Sequence, residues 1–272
     1  MIRIGAVEFL NARPLTYGLD AEPWCEVRFD VPSVCARLLH AGHIDVGLIP
    51  AIELLRGPEP YEIVAGPVVS CRGEVESVEV FSRVPVSEIR TLALDTNSRA
   101  SVGLLRVLCA RHFGIEPTFV DMAPDLPTML QHADAALLIG DPAFDAPWQA
   151  MGLERIDLGQ AWWDMTGLPF VFAVWAARPG ALTNVQAERL RQIRDQGLGA
   201  AEIIAADYAG GDPAGTARAT RYLREIIRYD LDEDARRGLA RYLELAVELG
   251  LAAAPIGGQP WVGQLPAVTV RT

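Results

Sequence analysis

The chain has 272 residues, 50% of them hydrophobic and 22% charged, a balance that suits one large or two medium packed domains and excludes a disordered chain. Its formal charge is −11, from 24 Lys and Arg against 35 Asp and Glu, and no basic run offers nucleic acid a footprint, so an anionic ligand must be held by local donors. No window approaches the roughly 20 apolar residues that span a bilayer, and the amino terminus lacks an export-signal pattern, so a cytoplasmic protein with neither membrane nor nucleic-acid partners is expected.

Residues 2–7 read as a short buried strand, and residues 11–15 (NARPL) as a loop entering a helical turn at Pro14. A second strand is expected over 26–29. Ser33 is the natural N-cap of a helix carrying Val34, Leu38 and Leu39, and Gly42 closes it before an apolar strand over 44–49. This strand, helix, strand rhythm favours a parallel sheet. At residues 72–81 a Gly-containing turn feeds alternating apolar residues that predict a strand from 78.

The central segment repeats the alternation: strand 91–94, polar turn 95–101, helix 102–113, strand 117–120, helix 127–132, then strand 135–139 ending at Gly140, Asp141 and Pro142. Two α/β units in tandem are expected. Residues 160–175 change abruptly from a polar, Trp-rich helical segment to an apolar run that predicts a buried strand, with Gly167 and Pro169 forcing the chain between elements. If this passage and the one at 72–77 are crossings between lobes, residues 78–171 form an inserted domain. Residues 1–77 and 172–272 then form the other, with a ligand cleft between them. Beyond Trp175 the periodicity predicts helices over 184–209, 213–227 and 232–249 packing on the first lobe, and the Gly- and Pro-rich tail beyond Pro255 reads as loosely ordered.

The loop 95–101 is the strongest candidate site. Thr96, Asn97, Ser98 and Ser101 lie between a strand and a helix N-terminus, where unpaired N–H groups and the helix dipole favour a carboxylate. Simple helix capping by Thr96 or Ser98 is the alternative. Arg99 favours binding, since a guanidinium clamps a carboxylate through two parallel hydrogen bonds. Asn11 follows the first strand, on the side of an open α/β sheet where ligands sit, and either binds or stabilises a turn. Ser77 faces the cleft on the hinge reading. Gly140 and Asp141 end another strand at the same rim, where Asp141 either moves a proton or caps the segment from Pro142.

Other signals are weaker or exclude a class. Trp162, Trp163 and Trp175 either wall a ring-shaped ligand or pack in the core. Cys25, Cys35, Cys71 and Cys109 show no CxxC spacing and read as reduced packing thiols. His40, His43, His112 and His132 show no metal-ligand spacing, and His40 and His43 flank Gly42, where contact with a helix end explains them. Without a P-loop, GxGxxG or GxSxG, nucleotide and triad chemistries are disfavoured along with metal chemistry.

Taken in order, NARPL at 11–15, AGHIDVGLIP at 41–50, LDTNSRAS at 94–101, IGD at 139–141 and TGLPFVFAVW at 166–175 resemble the chorismate dehydratase family of the futalosine route to menaquinone, over roughly residues 1–250. The resemblance implies an α/β, two-lobed type 2 periplasmic-binding-protein-like fold with a hinged interdomain cleft. It implies removal of water from chorismate, a small-molecule substrate, to give 3-[(1-carboxyvinyl)oxy]benzoate, with no cofactor and no metal. By the same resemblance Ser98, Arg99 and Ser101 hold a substrate carboxylate, and Asn11 and Ser77 position the ring substituents. Asp141 is a candidate for proton transfer, with the substrate's enolpyruvyl carboxylate as the alternative acceptor. One departure is Ala100, where the family loop usually carries Thr.

Two rival readings remain in view. One is a non-catalytic solute-binding or ligand-sensing protein for a small carboxylate, using the same cleft. The other is the sister enzyme that makes 1,4-dihydroxy-6-naphthoate, which is expected to use a catalytic His, and no histidine here lies at an obvious cleft loop.

Overall fold

A computed structural model describes residues 1–97 and 99–254. Among these, eleven strands form two mixed sheets. The first contains β1 (Ile2–Val7), β2 (Cys25–Asp30), β3 (Val46–Pro50), β4 (Glu62–Cys71), β10 (Phe170–Ala177) and β11 (Ile227–Asp230), in the order β11-β4-β10-β3-β1-β2. The second contains β5 (Val78–Ser82), β6 (Thr91–Asp95), β7 (Thr118–Met122), β8 (Ala135–Ile139) and β9 (Glu154–Asp157), in the order β7-β6-β8-β5-β9. Strands β3, β5 and β8 are buried along their whole length, as central strands covered on both faces must be.

The expected parallel pairing holds for two of the five strand pairings in the first sheet and two of the four in the second. Strand β1 pairs parallel with β2 and β3, and β6 with β7 and β8. Strand β10 runs antiparallel to β3 and β4, β11 antiparallel to β4, and β5 antiparallel to β8 and β9. Three strands were not legible in the sequence. Gly66 and Pro67 make β4 read as a turn, and its pairing with β11 does shift register near Pro67. Strands β9 and β11 have four residues each, too few to show a period.

The helices also depart from expectation. Ser33 is no cap: Pro32 opens the helix Pro32–His40, Val31 precedes it, and no side chain caps it. The stretch expected as one helix over 184–209 breaks at Ala200 into Asn184–Gly199 and Ala201–Tyr208. The next, Pro213–Arg221, runs into a wide π-type turn, Tyr222–Ile226, and then into β11. The last helix, Glu233–Glu248, is capped by Asp232, whose carboxylate accepts from the Ala235 N–H at 2.7 Å. The tail expected beyond Pro255 lies outside the described residues.

The chain passes between the sheets at residues 72–77 and 167–169. One carboxylate organises the region: Asp157 caps the helix Leu158–Thr166 through the Gln160 N–H at 3.0 Å, and its other oxygen accepts from the Val75 and Glu76 N–H groups at 2.9 Å each. Trp162 and Trp175 are core residues, Trp162 stacking edge-on with Phe170 at 5.3 Å; Trp163 is half-buried under the Arg72 guanidinium. Each such side chain contributes roughly 1.5–3 kcal/mol by leaving water. All four cysteines are free and buried. Among the described residues no helix is long and apolar enough to cross a membrane.

Candidate active site

The C-terminal ends of β1 and β3 meet those of β6 and β8, and the turns that follow them wall one cleft, the edge at which open α/β sheets take ligands. The cleft encloses about 500 Å³ not filled by protein, some of it open to solvent. Its walls are apolar, with Phe9 and Phe172 as aromatic faces, and its polar groups are few: the side chains of Asn11, Arg99 and Ser101 and the backbone at Gly140. Among the described residues that line it there is no Asp, Glu or His.

Arg99 is held from across the cleft. Its Nη1 donates to Glu53 Oε2 at 2.9 Å, and Glu53, in the turn Ala51–Leu54 after β3, is wholly buried. The same carboxylate pairs with His40 Nε2 at 2.8 Å and accepts from Arg56 Nη1 at 3.0 Å, while His40 Nδ1 meets the Tyr61 hydroxyl at 2.7 Å. Burial alone would raise the Glu53 carboxyl pKa, but the bond to His40 and the charges of Arg99 and Arg56 outweigh it and hold it below the ordinary value. One guanidinium nitrogen is thereby tied to Glu53, and Arg99 lines the cleft. Sequence reasoning passed over Glu53; an acid inside the apolar run from Ile49 to Leu55 was its only signal. His40, read as a helix-end contact, belongs to this network.

The rest of the candidate loop divides. Ser101, near the start of the helix Ala100–Leu108, is buried and lines the cleft. Thr96 is exposed and Asn97 half-buried, and neither lines it; the Asn97 N–H is turned onto Asp95 Oδ1 at 2.8 Å. Burial pushes the Asp95 carboxyl up to about 6. Ser98 lies outside the described residues.

Gly140 sits at φ +61, and a Cβ built on it would stand 2.9 Å from the Phe9 ring, so only glycine lets the β8 turn close against the β1 turn. Asp141 does not line the cleft. Its Oδ1 accepts from the Leu10 N–H at 3.0 Å, so it serves the turn after β1 rather than capping its own helix, Gly140–Phe144. Burial raises its pKa, against the opposing Leu10 bond and Arg13 charge. Ser77 is also turned away from the lining. It is buried, and its Oγ accepts from the Tyr222 hydroxyl at 2.6 Å, while its carbonyl accepts from the Gly140 N–H at 2.8 Å. Tyr222, on a helix whose apolar positions all read as core, was missed.

Two packed α/β sheets, joined by two crossings and sharing a cleft lined by donors, define a protein of the two-lobed periplasmic-binding-protein type. Solved structures agree: a protein from Archaeoglobus fulgidus superposes with a TM-score of 0.72 at 20% identity, covering 92% of this chain and 98% of that one. The alkanesulfonate-binding protein SsuA of Xanthomonas axonopodis pv. citri gives 0.68 at 18% identity, covering 93% and 94%. At such identities the likeness concerns the fold alone. Within that class the chain belongs to the menaquinone biosynthesis family, whose model matches residues 2–248. A protein of Thermus thermophilus named chorismate dehydratase is 31% identical over 271 residues, covering 93% of this chain and 97% of that protein.

Proposed function

We infer that this protein is a chorismate dehydratase, a hydro-lyase that converts chorismate to 3-[(1-carboxyvinyl)oxy]benzoate and water on the route to menaquinone through futalosine. Beside the family membership, the observation that carries the reading is the make-up of the cleft: aromatic and aliphatic walls, a guanidinium, an amide, a hydroxyl and a helix N-terminus, with no acid or imidazole among the described lining residues. Such a cleft suits a ring bearing two carboxylates and a reaction that supplies its own base.

The chemistry explains why so little is asked of the protein. The hydrogen on the ether-bearing ring carbon is vinylogous to the ring carboxylate, so its loss spreads charge into that group. The C–H electron pair becomes a ring π bond, the neighbouring C–O pair leaves with the hydroxyl, which takes up a proton as water, and the ring becomes aromatic. Aromatisation drives the step. The protein orients the diene and stabilises developing negative charge with groups already aimed. Ser98, Arg99 and Ser101 hold a substrate carboxylate, the Gly140 backbone closes over the ring, and Asn11 meets the ring substituents, with Ser77 behind the lining. With Asp141 engaged by Leu10, the proton goes to the enolpyruvyl carboxylate of the substrate itself. The lobes are joined by the two crossings, residues 72–77 and 167–169, rather than dividing at 171, where strand β10 already belongs to the first sheet, and the substrate enters by their separation, in the cytoplasm.

The test is incubation of the purified protein with chorismate, following loss of the cyclohexadiene absorbance and appearance of the aromatic product by NMR. Saturable binding with no turnover overturns the enzyme reading in favour of a carboxylate-binding protein.

A further inference from the structure

The polar wall of the cleft is largely one turn of helix. Arg99, Ala100 and Ser101 all line it, at the start of the helix Ala100–Leu108, which follows β6 of the second sheet. The apolar wall, with Val7, Leu48, Val69 and Phe172, comes from the first sheet. Apolar packing is non-directional, so it brings the two walls together without setting their register. A carboxylate held by that turn places its ring correctly only if the turn itself is fixed.

Two residues attached to the first sheet hold it. Glu53, in the turn after β3, takes the side chain of Arg99 at 2.9 Å. Tyr242 takes the main chain: its hydroxyl donates to the Ala100 carbonyl at 3.0 Å, from the helix Glu233–Glu248, which packs on β10. A carbonyl oxygen has two lone pairs, so it accepts the phenol beside its helical N–H partner. Tyr242 is wholly buried, and its ring lies edge-on to Trp162 and Phe170, 6.2 and 4.8 Å away between centroids. Phe170 in turn meets Phe172 of the apolar wall at 4.6 Å. Gly103 makes the approach possible. A Cβ built there would overlap the Tyr242 hydroxyl and stand 2.9 Å from Ile52, the neighbour of Glu53. Glycine inside a helix weakens it, and this close approach accounts for the one here. Burial pushes the phenol well above its ordinary pKa, so it remains a donor throughout the working range.

We propose that Tyr242 is a positioning residue: its hydroxyl pins the first turn of the helix Ala100–Leu108 to the side of the first sheet, and so sets the distance between Arg99 and Ser101 and the apolar wall against which the ring lies. The proposal deepens the dehydratase reading and rests on it in one respect: the carboxylate these groups hold is the substrate's. The tether is the same before and during the reaction. Its loss therefore weakens the hold on ground state and transition state alike, which raises KM and spares kcat.

The experiment is Tyr242→Phe, which keeps the ring and removes only the hydroxyl. We expect KM for chorismate to rise at least about threefold, the scale of one net hydrogen bond, with kcat within about twofold. A variant that merely folded less well would lose kcat through a smaller active fraction and keep KM. Tyr229→Phe is the control: that buried hydroxyl has no hydrogen-bond partner among the described residues, and its loss should leave KM within about twofold. A readout free of turnover is backbone hydrogen exchange. In Tyr242→Phe the amides of Gly103, Leu104 and Leu105 should quicken at least about fivefold, while those of the helix Asn184–Gly199 stay unchanged. A smaller rise in KM, a loss confined to kcat, an equal rise in Tyr229→Phe, or exchange that quickens in both helices or in neither overturns the proposal. Absence of wild-type turnover overturns the dehydratase reading instead, while exchange at residues 103–105 still decides whether Tyr242 fixes the turn.

Discussion

Glu79 offers the sharpest stability test. It sits mid-strand in β5, 1% exposed, with neither carboxyl oxygen in a hydrogen bond of normal geometry; Arg155 Nη1 is 3.6 Å away. Burial, reinforced by the like charge of Asp157, pushes its pKa from 4.5 up to about 10. An acid with a raised folded-state pKa contributes stability that is complete below the unfolded value and lost as pH rises through the folded value. In the unfolded chain Glu79 ionises near pH 4.5, whereas in the native protein it stays protonated, so stability falls by about 1.4 kcal/mol per pH unit and by about 3 kcal/mol at pH 7. Glu79→Gln removes this proton linkage while keeping the shape. Its pH-independent cost shifts every point equally, so the readout is the gap between wild type and variant in urea unfolding at pH 5.5, 7 and 8.5. The gap should move in the variant's favour by about 4 kcal/mol across that range. Parallel profiles would show that Glu79 is ionised in the native protein and that the burial argument is wrong.

Glu53→Gln should raise KM about tenfold by freeing Arg99. It should also lower Tm by roughly 4–8 °C, a loss of about 2 kcal/mol discounted because both arginines reach solvent. Because the Glu53 pKa is lowered, its contribution is present above the unfolded value and fades as pH falls, so wild type and variant should converge in acid; unchanged KM would refute the tether. Asp141→Asn keeps an oxygen for the Leu10 N–H and should alter kcat by less than about fivefold, whereas a loss of 10²-fold or more would make Asp141 the base. Gly140→Ala should cost roughly 1–3 kcal/mol in thermal unfolding, from the left-handed φ and the Phe9 ring, and a stable variant with normal activity would count against a closed turn there.

The alternation of strand, polar turn and helix was enough to place β1, β6 and β8, because a buried strand must be apolar and a turn into a helix must carry caps or glycine. The ordered motifs from NARPL to TGLPFVFAVW were enough to suggest the family, and polar residues directly after strands pointed to Asn11, Arg99, Ser101 and Gly140, which meet in the cleft. Local sequence also fixed Pro14 in its helical turn and the thiols as packing groups. Only the tertiary structure decided direction and partnership. Strands β4, β9 and β11 exist because long-range partners supply their hydrogen bonds, which no short window displays. Whether Asp141 faces substrate or Leu10, whether Ser77 faces the cleft or Tyr222, and that Glu53 anchors Arg99 from across the cleft depend on side chains between 46 and 145 positions apart. A residue's type sets what it can bond; its folded neighbours choose which of those bonds it makes.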